Sequence, residues 1–298
     1  MAGGIEFPEA MQIVNIGPAP VLANPTCRAL PDLPTSVRKG AGAMVNGKPL
    51  VCNGQYALDC YLYDKDTDEW NEVVRLDTQR TAPASVQLEN GDLWVMGGRK
   101  FNFGERLTTT DIYRAATVSV DVGPEMPVGL EGACAVRVNA THVLVVGGAT
   151  NGGERDNPLK ISGARMYDFG SEEWVELTPM SQPRMFHGCG LFEAEGEQKV
   201  MVVGGEGEST TEIYDVATDS WTDGPLTPYG KPFSSMSVVQ YGRTFVILGG
   251  MLGDDVIGTD QIFEYNVRYN GFVERKEKIP KATQQQVALV IDENAVDC

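Results

Sequence analysis

The chain has 298 residues, 42% of them hydrophobic, with 34 Gly and 17 Pro; this composition argues against wholesale disorder and favours many turns over long helices. Its net charge of −17 argues against nucleic acid and anionic membranes as partners, because phosphate contacts need clustered Lys and Arg. No apolar run approaches the roughly 20 residues of a membrane helix, and the start, Met1 to Ile5, has neither the basic nor the apolar part of a signal peptide, so the expectation is an intracellular chain or a mature one already processed.

Taken in chain order, a short apolar strand ending in glycine recurs. Met11–Ile16 runs into Gly17, and Leu50–Cys52 into Asn53-Gly54. Leu93–Met96 then meets Gly97-Gly98, His142–Val146 meets Gly147-Gly148, Val200–Val203 meets Gly204-Gly205, and Thr244–Leu248 meets Gly249-Gly250. The final glycines are 37, 44, 50, 57 and 45 residues apart, a period that suits propeller blades. A segment of small residues precedes most of these strands. Arg38, Arg80 and Arg184 open three such segments, and Lys231 and Lys281 are expected at the same place in two more. After each doublet a Tyr strand and a turn lead to a Trp strand: Tyr63-Asp64 before Trp70, Tyr167-Asp168 before Trp174, Tyr214-Asp215 before Trp221. Tyr265 and Phe272 keep the offset, and Val120 fills the aromatic slot after Tyr113. Each unit therefore reads as four strands. The small side chains fit the crowded axis and the aromatics the wider gaps between outer strands.

These phased motifs resemble the Kelch-repeat family, in particular invertebrate Kelch-motif proteins made of a propeller alone. The resemblance covers nearly the whole chain and implies an all-β, six-bladed propeller in a single domain over residues 1–298. The closing blade would come from about 10–30 and 282–298, with 11–17 paired to 285–291, so that the ring leaves no exposed sheet edge.

Strand alternation puts the loops after the doublets at one end of the ring. They are long and varied, as binding loops on rigid scaffolds are. The expected recognition face comprises Arg99, Phe101, Phe103, Arg106, Glu154, Arg155 and Asp254, with Arg38, Arg80 and Arg184 close by. Phenylalanines flanked by arginines have the composition of an interface hot spot. The leading expectation is a non-enzymatic module binding a protein partner, without cofactor or metal. One alternative is a small-molecule isomerase or hydrolase at the channel mouth, using Glu131, Glu154, Glu206, Glu208, Arg80 and Arg184. Another, implied by cytoskeletal relatives, is actin binding. His142 and His187 are the only histidines, which leaves little for a triad or a copper site.

Six cysteines with no CxxC pair argue against structural zinc. The candidate bridges are Cys52–Cys60, Cys134–Cys189, which stand at like places on adjacent inner strands, and Cys27–Cys298. Six buried thiols are the other reading. Asn139-Ala140-Thr141 is a glycosylation acceptor pattern. Leu30–Pro34 and the final Cys resemble secreted invertebrate Kelch-repeat proteins, which tilts the expectation towards an extracellular location.

Overall fold

The computed structural model describes residues 30–35, 37, 39–52, 54, 58–100, 104–154, 157–254, 258–279, 282 and 287–289. Five four-stranded antiparallel sheets stand among them, rather than the six expected. Blade 1 comprises Ala41–Val45, Lys48–Cys52, Asp59–Asp64 and Glu69–Arg75. Blade 2 comprises Ala84–Gln87, Leu93–Met96, Thr110–Arg114 and Ser119–Val122. Blade 3 comprises Cys134–Arg137, His142–Val146, Ala164–Asp168 and Glu173–Leu177. Blade 4 comprises Gly188–Ala194, Glu197–Val203, Thr211–Asp215 and Ser220–Asp223. Blade 5 comprises Ser237–Tyr241, Thr244–Leu248, Ile262–Asn266 and Gly271–Glu274. The first strands of successive blades are neighbours around the axis. The strands expected at 11–17 and just after it, and all of 285–291 except 287–289, lie outside the described residues.

The Tyr and Trp strands pair as the seven-residue offset requires. Tyr63 faces Trp70, Tyr113 faces Val120, Tyr167 faces Trp174, Tyr214 faces Trp221 and Tyr265 faces Phe272. All five tyrosine side chains are buried. The tryptophans also tie each blade to the link before it. Trp70, Trp174 and Trp221 donate Nε1–H to the carbonyls of Pro31, Glu125 and Thr178 at 2.9, 2.9 and 2.7 Å.

The glycine doublets make the inter-blade joint. Gly97 and Gly98, like Gly147 and Gly148, have positive φ, a conformation costly for other residues. The N–H of Gly98, Gly148 and Gly205 donates to the carbonyl of Leu130, Arg184 and Phe233, the lead-in residue of the next blade, at 2.7–2.8 Å. A Cβ on Gly204 would stand 2.1 Å from the Phe233 carbonyl oxygen, so the close approach itself requires glycine. Closer to the axis, Gly132 N–H bonds to Ala82 O, Phe186 to Gly132 and Ser235 to Phe186. This belt strings blades 2 to 5 together.

The lead-in residue is Arg80 in blade 2, Leu130 in blade 3, Arg184 in blade 4 and Phe233 in blade 5. Lys231 does not hold that place. The 3-10 turn Pro228–Gly230 lengthens the link by two residues, from four between Met180 and Arg184 to six between Thr227 and Phe233.

Two of the expected disulfides are present. Cys52 and Cys60 are directly opposed on neighbouring strands of blade 1, Cα atoms 4.1 Å apart. Cys134 and Cys189 join the inner strands of blades 3 and 4 at 6.0 Å. Their places are not equivalent, since Cys134 faces Val146 whereas Cys189 faces Val202, one residue further along its strand. The spacing still lies in the range a bridge spans. Cys27 and Cys298 lie outside the described residues.

Candidate functional site

Strand direction separates two unlike ends. At one end the turns are short: two residues between Val45 and Lys48, five between Gln87 and Leu93, four between Asp168 and Glu173. At the other end thirteen residues separate Met96 from Thr110, seventeen separate Val146 from Ala164, and thirteen separate Leu248 from Ile262. The long connections build their own ribbons: Arg80–Thr81 pairs with Arg99–Lys100, Ala149–Glu154 with Asn157–Lys160, and Phe233–Ser234 with Met251–Leu252.

At this end the structure brings Arg99 and Arg106 together on one carboxylate. Arg99 Nε lies 3.0 Å from Glu131 Oε1, and Arg106 Nε lies 3.4 Å from Oε2. Glu131 is 4% exposed, Arg106 4%, and the Arg99 side chain 20%. Each partner is placed by backbone. Glu131 bridges to Ala149. Arg106 bridges back to Arg99 and exchanges two hydrogen bonds with the Asn151 side chain, at 2.9 and 3.1 Å. The Thr81 hydroxyl, on the residue paired with Arg99, is buried without a hydrogen-bond partner.

Arg80 and Arg184 do not belong to this surface. They are 1% and 0% exposed. Arg80 binds Asp111 at 2.9 Å and the carbonyls of Gly97 and Thr109. Arg184 binds Glu212 at 3.0 Å and the carbonyls of Gly204 and Thr210. Both are struts that tie the lead-in segment to the third strand of their own blade. Blade 5 fills the same space with Phe233 against Phe263, ring centroids 5.9 Å apart. Asp254 is exposed on its turn, and Glu154 pairs with Asn157 through the backbone. Arg38, Phe101, Phe103 and Arg155 lie outside the described residues. Of the other carboxylates weighed, Glu206 is exposed beside Lys160 at 3.3 Å. The buried Glu131 joins the arginine cluster, and its spacing of 32 residues from Arg99 carried no local signal.

A cavity of about 490 Å³ runs along the axis. Its wall is made by 40–42 and 44, 85–87, 135–137, 189–191, 237–240 and 287–289. Arg137, ion-paired to Glu89, is the one charged residue in that wall among the described residues. At the loop end Lys39, leading into blade 1, sits 4.3 Å over the ring of Phe186, leading into blade 4. These blades are not neighbours, so the contact crosses the axis and lids the channel.

The two histidines sit at opposite ends of the ring, His142 opening a strand at the short-turn end and His187 just before Gly188–Ala194 at the other. His142 shares Asn139 and Thr141 in the exposed hairpin that carries the glycosylation pattern. No group of three metal-ligating side chains occurs among the described residues. His187 is fully enclosed, and the Val146 backbone approaches its ring without completing a hydrogen bond to either nitrogen. Burial first, and then the Arg184 charge, push its pKa from 6.5 down to about 3. The unfolded chain therefore binds this proton first. Its contribution to stability is complete above about pH 6.5 and falls by about 1.4 kcal/mol per pH unit on acidification towards pH 3. Met236 holds the equivalent place in blade 5. His187→Met is expected to remove this slope, leaving a flatter urea midpoint between pH 6.5 and 4 than the unaltered chain; equal slopes in both would refute the assignment.

Ring geometry, glycine joints and phased aromatic pairs define a β-propeller of repeated four-stranded blades. The chain is a Kelch-repeat β-propeller. It is similar to N-(sulfonatooxy)prop-2-enimidothioate sulfolyase of Thlaspi arvense, 22% identical over 252 residues, 73% of this chain and 71% of that protein. N-acetylneuraminate epimerase of Salmonella arizonae is 32% identical over 128 residues, 40% of this chain and 33% of the epimerase. Kelch-like protein 7 of Rattus norvegicus is 27% identical over 117 residues, 38% of this chain and 19% of that protein. The matches to the latter two thus span a third or less of each relative. No family model matches the chain. The solved structure of YjhT superposes with a TM-score of 0.71 at 14% identity, over 87% of this chain and 89% of that one, and shows the same fold.

Proposed function

We propose that this propeller is a recognition module that holds a protein partner on the end carrying the long connections. The observation that carries the reading is the contrast between the ends: turns of at most five residues at one, connections of up to seventeen at the other. Three of the exposed large apolar side chains, Leu159, Leu226 and Tyr229, are on these connections or the links beside them, and the Arg99–Glu131–Arg106 cluster is at the same end. Similarity to a Kelch-like protein supports an interaction role. A photo-crosslinking residue at exposed position 100 is expected to give a discrete partner adduct that Arg99→Glu reduces. The same residue at position 217, on an opposite-end turn, is expected to give none. Equal adducts from both positions, or insensitivity to Arg99→Glu, would overturn the reading.

A second reading, small-molecule chemistry at the channel, is favoured by the axial cavity and by the sulfolyase and epimerase names of two relatives. The Lys39–Phe186 lid and the lack of a carboxylate in the described cavity wall weigh against it. We also propose that 10–30 and 282–298 complete a sixth, closing blade. Residues 287–289 support this, because they complete the cavity wall between blades 5 and 1. Val287 packs with Leu30 and the blade 1 aromatics, and Ala288 packs with Val239 and Leu248 of blade 5.

A further inference from the structure

We infer that the Arg99–Arg106–Glu131 cluster is a carboxylate-binding site, and that the partner proposed above presents an acidic group to it; the assignment of a partner rests on that reading, the carboxylate chemistry does not. The charge count comes first. Two guanidinium groups share one carboxylate, all at least four-fifths buried, which among the described residues leaves one positive charge uncompensated where water screens it poorly. A chain of net charge −17 has no general need to store cations there.

The donor count follows. Arg99 makes its ion pair through Nε, and Arg106 spends Nη1 on the Gly104 carbonyl at 3.2 Å. Among the described residues, both Nη groups of Arg99 and Nη2 of Arg106 have no hydrogen-bond partner, and they are not among the buried unsatisfied atoms, which leaves them facing solvent. Arg106 Nε is buried and faces Glu131 Oε2 at 3.4 Å without a formed hydrogen bond, and the Thr81 hydroxyl is buried without a partner among the described residues. The contrast is with the two fully buried struts. Arg80 and Arg184 in the same protein turn their donors onto two carbonyls and a carboxylate each. Guanidinium forks match a carboxylate in bidentate geometry, and a single surplus charge matches a monoanion better than a phosphate dianion.

The test uses the whole protein and follows the arginine Nε–Hε resonances by NMR, assigned with Arg99→Lys. The probes are acetate, N-acetyl-glutamate amide, a five-residue peptide with a central Glu, and the same peptide with Gln. The Glu peptide is expected to shift the Arg99 and Arg106 signals while the Gln peptide does not. Saturation by the Glu peptide at much lower concentration than acetate assigns the carboxylate to a polypeptide; the reverse assigns it to a small free acid. Arg99→Gln, at the more exposed arginine, is expected to weaken binding at least about tenfold. Glu131→Gln removes the competing carboxylate and is expected to tighten it, which a merely structural role would not produce. No shift with any acidic probe, or equal shifts with Glu and Gln peptides, overturns the inference. A partner adduct at position 100 without carboxylate binding would defeat this inference alone; carboxylate binding without an adduct would defeat the partner reading alone.

Discussion

Replacing Arg184 with alanine is expected to lower the unfolding free energy by about 3–5 kcal/mol, the usual cost of breaking a buried ion pair. The side chain is 0% exposed and Glu212 3% exposed, so the substitution strands a buried carboxylate. It also frees the carbonyls of Gly204 and Thr210 and leaves a void at the joint with blade 3, where the Arg184 carbonyl receives Gly148 N–H. Blade 5 shows that the charges themselves are dispensable, because Phe233 and Phe263 occupy the same two places. The double change Arg184→Phe with Glu212→Phe is therefore expected to be less destabilising than Arg184→Ala. Part of the deficit remains, since Glu212 also accepts the N–H groups of Ser181 and Gln182. Urea midpoints at unchanged slope measure all three. A loss below about 1 kcal/mol for Arg184→Ala would contradict the strut assignment.

Ending the chain at residue 282 is expected to lower the unfolding free energy of the whole ring by about 3 kcal/mol or more, read as a lower urea midpoint. Val287 and Leu289 each cover apolar surface, worth roughly 1.5–3 kcal/mol for a fully buried side chain and less for these partly buried ones. Their removal also opens the inner walls of blades 1 and 5 to water. Exposed sheet surface of this kind promotes association, so the truncated chain is expected to self-associate with rising concentration. Gly42→Val tests the same contact without truncation. A Cβ there would lie 2.4 Å from Val287 Cγ1 and 3.3 Å from Leu289 Cδ2, so the added side chain must displace the segment. A midpoint unchanged by either alteration would remove the closing-blade proposal.

The repeat was legible in the linear order because its signals are local. The doublets of blades 2 to 5, which take positive φ, are all glycine, and a tyrosine paired across a tight turn with the residue seven positions on announces both strands. Those rules placed all five described blades and the facing pairs Tyr63–Trp70 and Tyr265–Phe272. They failed where the link length changed. The two extra residues around Pro228–Gly230 moved the blade 5 lead-in from Lys231 to Phe233, and nothing in a list of basic residues reveals such an insertion.

By itself, the order of residues determined the repeated four-stranded blade and the facing of Tyr and Trp strands, since both follow from periodicities of a few residues; it named Cys52–Cys60 and Cys134–Cys189 only as candidates, and the packing of strands decided between bridges and buried thiols. Only the tertiary structure decided which arginines are struts and which are available. Arg80 finds Asp111 31 residues away and Arg184 finds Glu212 28 residues away, each within its own blade, while Arg99 and Arg106 meet Glu131 across a blade boundary. Four arginines that look alike in sequence differ in fate because burial and charge balance arise from contacts that close only when the sheets pack around the axis.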